Sequence, residues 1–270
     1  MKPDFGATAN DYRKYRAGFP DSLFERLAPM GIGRPGQEIV DLGTGTGSLA
    51  RGFARRGCRV IGIDPDSRLL TQARELDGEA GVEVDYRIGR AEETALAAES
   101  VDVVAAGQCW HWFDRAAAAR EASRILRPDG RILIAHFDWI PLPGNLVEAT
   151  EKLILAHSPS WSGAGGMGVY APWLRDLGEA GFREIETFSY DLDAPYTPEA
   201  WRGRVRASGG VGGTLSEPQV AAFDRELASL LEERFPEDIL GVHHRVFAVV
   251  ADPPSGAILP TPEIEEPPCS

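Results

Sequence analysis

The sequence predicts an α/β fold: a seven-stranded, mostly parallel sheet with helices on both faces and a lid built from inserts. Three observations predict it. Seven short apolar segments read as strands, amphipathic stretches alternate with the early ones, and a glycine-rich turn joins the first strand to the first such stretch.

The strands are read at Glu38–Gly43, Arg59–Asp64, Val82–Gly89, Val101–Gly107, Gly130–Phe137, Arg183–Leu192 and His243–Ala251. Alternation of the early ones with helical stretches implies βαβ units and a sheet covered on both sides. Helical periodicity lies between them at Ser48–Arg56, Ser67–Leu76 and Asp114–Leu126. A long amphipathic helix at Leu215–Phe235, with Ser216 as its N-cap, precedes the last strand and predicts that this strand runs antiparallel at the sheet's end.

The alternation breaks after Phe137, where prolines, a helix at Asn145–His157 and a Gly/Ser-rich run interrupt it. The predicted organisation is an N-terminal helical lid segment (1–37), a core (38–137), an insert (138–171), more core (172–192), a second insert (193–214), and the final helix and strand (215–252). Loops of this length between sheet elements are more often functional than inert. Residues 253–270, with six prolines, three glutamates and no basic residue, read as a disordered tail.

The net charge of −13 repels phosphate backbones, which argues against a nucleic-acid substrate and for a small molecule. Without the tail's glutamates the charge is still −10. No apolar run is long enough for a membrane helix and no secretory signal is visible, so no membrane association and a cytoplasmic location are expected. The three cysteines are widely spaced and suggest neither a disulfide framework nor a zinc site, and no metal is expected. Oligomeric state is not readable.

The chemistry starts at Ile39-Val-Asp41-Leu-Gly43-Thr-Gly45-Thr-Gly47, which ends a strand and opens a helix. Glycines there permit a tight turn and a close-lying ligand, and Asp64, ending the next strand, suits the two hydroxyls of an adenosine ribose. An NAD site fits part of this pattern, since Gly45-Thr-Gly47-Ser-Leu-Ala50 matches G-x-G-x-x-A. Asp41, just before the glycines, weighs against it: a carboxylate there repels a pyrophosphate and welcomes a methionine ammonium. The residues therefore favour S-adenosylmethionine (SAM) over NAD.

Val40-Asp-Leu-Gly-Thr-Gly-Thr-Gly and Val60-Ile-Gly-Ile-Asp-Pro-Asp-Ser resemble motifs I and II of the class I SAM-dependent methyltransferases. Ala91-Glu92, Ile125-Leu-Arg-Pro-Asp-Gly130-Arg and Leu177-Gly-Glu-Ala-Gly-Phe182 follow in that family's order. Tyr12-Arg-Lys-Tyr-Arg16 and Gln108-Cys-Trp-His-Trp-Phe113 are similar to the type-11 small-molecule subgroup that includes trans-aconitate methyltransferase. The resemblance implies a Rossmann-like class I methyltransferase fold. The activity it implies is methyl transfer to O, N or C of a small metabolite, with S-adenosylhomocysteine as product.

Residue by residue, the resemblance implies that Asp41, Gly43, Thr44 and Gly45 hold the methionine part and that Asp64 takes the ribose. Pro65 and Leu69 would lie against the adenine, Ala91 and Glu92 near its edge, and Gln108 would face the sulfonium. The family often has Asp before that alanine, where this chain has Arg90. Arg16 would pair with the SAM carboxylate, in a patch with Tyr12 and Tyr15 that folds over the site.

Methyl transfer from a sulfonium needs alignment and exclusion of water, and a general base only if the nucleophile arrives protonated. His111 is the candidate base, with loop shaping as its alternative role. Tyr12, Tyr15, Trp110, Trp112, Trp161, Tyr170 and Trp201 are candidate substrate contacts, each with plain packing as the alternative. Two further readings stay open: a SAM-binding scaffold with non-methylating chemistry, and an NAD-dependent oxidoreductase.

Overall fold

The structure is a computed structural model that describes residues 18–254. Seven strands form one sheet in the order β3-β2-β1-β4-β5-β7-β6. They are β1 (Glu38–Leu42), β2 (Arg59–Asp64), β3 (Asp85–Ile88), β4 (Val101–Gly107), β5 (Leu126–Trp139), β6 (Arg183–Tyr196) and β7 (Leu240–Asp252). β1 to β5 pair in parallel, and β7 runs antiparallel between β5 and β6. The predicted mostly parallel sheet with an antiparallel last strand is therefore observed.

The helices are α1 (Asp21–Leu27), α2 (Ser48–Ala54), α3 (Ser67–Ala80), α4 (Arg115–Ile125), α5 (Leu146–His157), α6 (Pro172–Glu179), α7 (Pro198–Arg206) and α8 (Glu217–Arg234). Local chemistry fixes several starts. Asp66, Asp114, Asn145 and Thr197 each accept a backbone N–H of the first turn. Ser216 and Gln219 form a capping box at α8.

Two cores cover the two sheet faces. One gathers residues of α1, α2, α5, α7 and α8 over Val103, Leu133, Phe137 and Val246. The other gathers α4 and α6 over Val104, Ile132, Ile134 and Val249. Alternate residues of β4, β5 and β7 serve opposite cores, as the period of two requires.

The structure lengthens four predicted elements, β5, β6, β7 and α3. β5 runs on to Trp139 and β6 to Tyr196, both held in register by β7, which begins at Leu240. Pro195 is tolerated inside β6 because β6 is the edge strand, where one row of N–H groups needs no partner. α3 likewise continues to Ala80, where Gly81 ends it in the left-handed region. Among the described residues no helix is long and apolar enough to cross a membrane.

Candidate active site

The turn after β1 builds a cradle at the sheet's switch point, where β1 has β2 on one side and β4 on the other. Gly43 (φ +62°) has to be glycine, because a Cβ there would lie 2.9 Å from Phe113 Cζ and 3.0 Å from Cys109 Sγ. Gly45 (φ +57°) is different: a Cβ there would meet nothing within 4 Å. The chain leaves open space above Gly45, and two buried carboxylates, Asp41 and Asp64, bond to this turn.

Asp41 is 1 % exposed. Its Oδ2 accepts the Thr44 hydroxyl at 2.6 Å and the Ala50 N–H at 3.2 Å, while its Oδ1 has no partner. Burial pushes this carboxyl up to about 7, against the pull of those two bonds. Asp64 is buried too, and its Oδ2 accepts Gly45 N–H and its Oδ1 accepts Asp66 N–H, both at 2.9 Å. Burial raises its pKa, and the two backbone bonds oppose the rise.

Around this cradle Leu69 and Ala91 are buried and Pro65 is exposed. Both Glu92 oxygens are engaged within the protein: Oε1 accepts Asp114 N–H at 3.0 Å and Oε2 faces Arg90 at 3.3 Å. Gln108 ends β4 with φ +60°, a conformation that side chains other than glycine rarely adopt. Its backbone N–H donates to Ala135 O (2.8 Å) and its Nε2 to Phe137 O (3.0 Å), so it clasps β5 on either side of His136.

Past Gln108 comes a short 3-10 turn, Trp110–Trp112. His111 is exposed, with its ring 4.6 Å from Trp112 and 5.5 Å from His136. Trp112 is the exposed indole of the pair, at 37 %. Trp110 is wholly buried, and its Nε1 donates to Asp176 Oδ2 at 3.1 Å. It joins the core under α4 and α6, so Trp110 is corrected to a core residue, and Trp112 is the one of the pair that reaches the surface.

Trp201 is corrected in the same way. It is fully buried, donates from Nε1 to Thr150 Oγ1 at 3.1 Å, and packs edge-on against Trp139 and Tyr196. It anchors α7 to α5 from within the core. Trp161 is half-buried beside Gly163 and Gly210. Arg16, Tyr12 and Tyr15 lie outside the described residues.

Tyr170 belongs to a cluster that also contains residues missed by sequence reasoning. Its hydroxyl donates to Asp138 Oδ2 at 2.5 Å, and its ring stacks on Trp173 at 4.1 Å and lies 4.5 Å from His136. His136 Nδ1 meets the same Asp138 oxygen at 2.8 Å. Burial and the Asp138 charge raise the Tyr170 phenol well above its ordinary value, so it remains a donor.

On the other face of β5, Glu151, 5 % exposed, accepts Trp139 Nε1 (2.9 Å) and Gly165 N–H (2.8 Å), tying the glycine-rich segment to α5. His243 sits between Asp193 (3.0 Å) and Asp191 (3.3 Å), with Arg245 also on Asp191. Among the described residues no group of three His, Cys, Asp or Glu side chains is arranged to hold a metal ion.

A family profile described as "Methyltransferase domain" matches residues 40–134. An uncharacterized methyltransferase of Mycobacterium tuberculosis is 36% identical over 132 residues, 49% of this chain and 51% of that protein. The chain thus spans about half the length of the first curated relatives it matches. A ubiquinone biosynthesis O-methyltransferase of Xanthomonas axonopodis pv. citri is 30% identical over 191 residues, 68% of this chain and 73% of that protein. Among solved structures, phosphoethanolamine N-methyltransferase 2 of Haemonchus contortus, in complex with phosphomonomethylethanolamine and S-adenosylhomocysteine, shares the fold. It has a TM-score of 0.54, 20% identity, and coverage of 93% of this chain and 57% of that one. The ordered motifs, the sheet order and the relatives agree: the chain belongs to the class I SAM-dependent methyltransferases, in the type-11 group.

Proposed function

We propose that this protein is a SAM-dependent methyltransferase that acts on a small molecule. One observation carries the reading: the turn after β1 leaves open space above Gly45, whose N–H is held by Asp64, and the buried Asp41 that braces the same turn keeps an orphan oxygen. The residues present fit the cofactor. Asp41, Gly43, Thr44 and Gly45 would hold its methionine part, Asp64 its ribose, and Pro65, Leu69 and Ala91 its adenine. Glu92 is left out of this set because its carboxylate braces the turn before α4. A buried carboxylate without a cation is costly, and a bound ammonium offsets that cost.

When bound, the sulfonium supplies an activated methyl group for in-line displacement. The protein's share is to align the acceptor and exclude water. Among the described residues Trp112, Tyr170 and Trp161 are the aromatic side chains proposed to contact it, with the exposed His111 beside Trp112; Tyr12 and Tyr15 are further candidates outside them. The net charge of −13 supports a small molecule over a nucleic acid. The O-methyltransferase named among the relatives supports oxygen as the acceptor atom.

Calorimetry with S-adenosylhomocysteine tests the reading. Binding in the micromolar range is expected, and no heat at high micromolar concentration overturns it. An oxidoreductase would instead bind NADH in an absorbance screen, against the charge of Asp41.

A further inference from the structure

We propose that His136, oriented by Asp138 and Tyr170, receives the proton of the acceptor, and that the acceptor nucleophile is a hydroxyl carried on a flat, largely apolar ring. The inference rests on the methyltransferase reading and deepens it.

His136 is 5 % exposed, and its side chain is 7 % exposed. A carboxylate only accepts, and the same Asp138 oxygen already receives the Tyr170 hydroxyl. The imidazole nitrogen that meets it at 2.8 Å, Nδ1, therefore carries the hydrogen. That leaves Nε2 as a bare lone pair, and Nε2 is buried with no hydrogen-bond partner among the described residues. A buried acceptor left unmatched is destabilising, while an apolar side chain of similar shape would fit there at little cost. A donor brought by a ligand would complete the arrangement.

The placement suits such a ligand. Gln108, the residue read as facing the sulfonium, bonds to the carbonyls on both sides of His136, which ties the imidazole to the carboxyl end of β4. The rings around His136 are flat and come from the 3-10 turn after β4, the segment before α6 and the first turn of α6: His111 at 5.5 Å, Tyr170 at 4.5 Å and Trp173 at 5.3 Å. Such a surround favours a planar acceptor.

The step balances. The acceptor O–H bond breaks and its proton goes to Nε2. The oxygen electron pair forms the new C–O bond, and the C–S pair stays on sulfur. The positive charge passes from sulfur to an imidazolium that Asp138 faces.

The test uses the full chain, labelled with 15N-histidine and saturated with S-adenosylhomocysteine, with phenol and benzoate as probes. The chain has five histidines, and the His136→Gln spectrum assigns the signal. An Nδ1–H tautomer, with Nε2 perturbed by phenol and unmoved by benzoate, is the expected result. His136→Gln should weaken phenol binding about tenfold and leave S-adenosylhomocysteine affinity unchanged.

A protonated Nε2 in the free protein overturns the proposal, and so does an Nε2 signal indifferent to phenol. A His136→Phe chain that is more stable and binds phenol as before would show plain packing, and overturns it as well. Failure of S-adenosylhomocysteine to bind counts against the methyltransferase reading instead, since the tautomer is measurable without it.

Discussion

The Thr44 hydroxyl donates to Asp41 Oδ2 across 2.6 Å, and this bond fixes which carboxylate oxygen is satisfied and which is left over. Burial lifts the Asp41 carboxyl from 3.8 to about 7, so the folded chain holds that proton more tightly than the unfolded chain does. The stability linked to it is whole below the unfolded value and is lost as pH rises through about 7. The ligand-free melting temperature should fall across that window, and Asp41→Asn should remove most of this slope. A drop of about 4 °C or more is expected, since one kcal/mol moves a domain of this size by roughly 2–4 °C. S-adenosylhomocysteine should bind more tightly as pH rises through the same window, because its ammonium prefers the carboxylate. Melting curves and calorimetry between mildly acidic and mildly alkaline pH check both.

Asp64→Ala should weaken S-adenosylhomocysteine binding by about 100-fold, the loss expected when a charged acceptor for two hydroxyls is removed. Asp64 also holds the N–H groups of Gly45 and Asp66, so Asp64→Asn is the gentler companion and should lose less. Calorimetry reads both, and unchanged affinity in Asp64→Ala would refute the ribose assignment.

Gly52 lets α1 lie close on α2: a Cβ there would come within 2.0 Å of Phe24 Cζ. Gly52→Ala should destabilise by about 1–3 kcal/mol, the usual cost of overpacking. Adding Phe24→Leu should restore part of the loss, because a shorter side chain vacates the contested space. Additive losses in the double variant, read by denaturant unfolding, would show that the two sites do not compete for one space.

Trp201→Ala should cost about 3–5 kcal/mol, as for other large buried aromatics. Trp201→Phe keeps most of the packing and removes the bond to Thr150 Oγ1, for a loss near 1 kcal/mol. Cofactor-product affinity should stay within about twofold in Trp201→Phe, as expected of distant independent sites. A large loss of acceptor binding in a chain that melts normally would return Trp201 to the substrate site.

Glu151→Ala strands two donors, Trp139 Nε1 and Gly165 N–H, and should loosen the glycine-rich segment. Proteolysis should then speed up about tenfold between residues 158 and 168, in line with a more frequent local opening. Mass spectrometry of the fragments locates the cut. Unchanged cleavage would mean that the segment is held by other contacts.

The elements that carry the proposed cofactor site were legible in the sequence because their signals are local. Asp41 and Asp64 sit at ends of apolar strands, and Val101–Gly107 and Arg59–Asp64 are found at the predicted bounds. The proposed acceptor site was not, because its geometry is tertiary. His136 lies within an apolar run, and nothing in that run tells which face it takes; its partner Tyr170 comes from 34 residues further along the chain. Trp110, past the end of β4, and Trp201, in the second insert, read as candidate substrate contacts. Their burial depends on Asp176 and Thr150, partners from distant helices. Pro195 suggested a strand end at Leu192, and only the edge position of β6 explains why the strand continues.

The reversed strand β7 has an evolutionary consequence. Its ladders to β5 and β6 carry the long excursion from 197 to 239, while the glycine turn hangs from the ladders of β1 with β2 and β4, at the other side of β5. Insertions or deletions in that excursion leave the register of β1 with β2 and β4 intact. Descendants of this chain can therefore vary the length and packing of a peripheral helix pair while the turn after β1 is inherited unchanged.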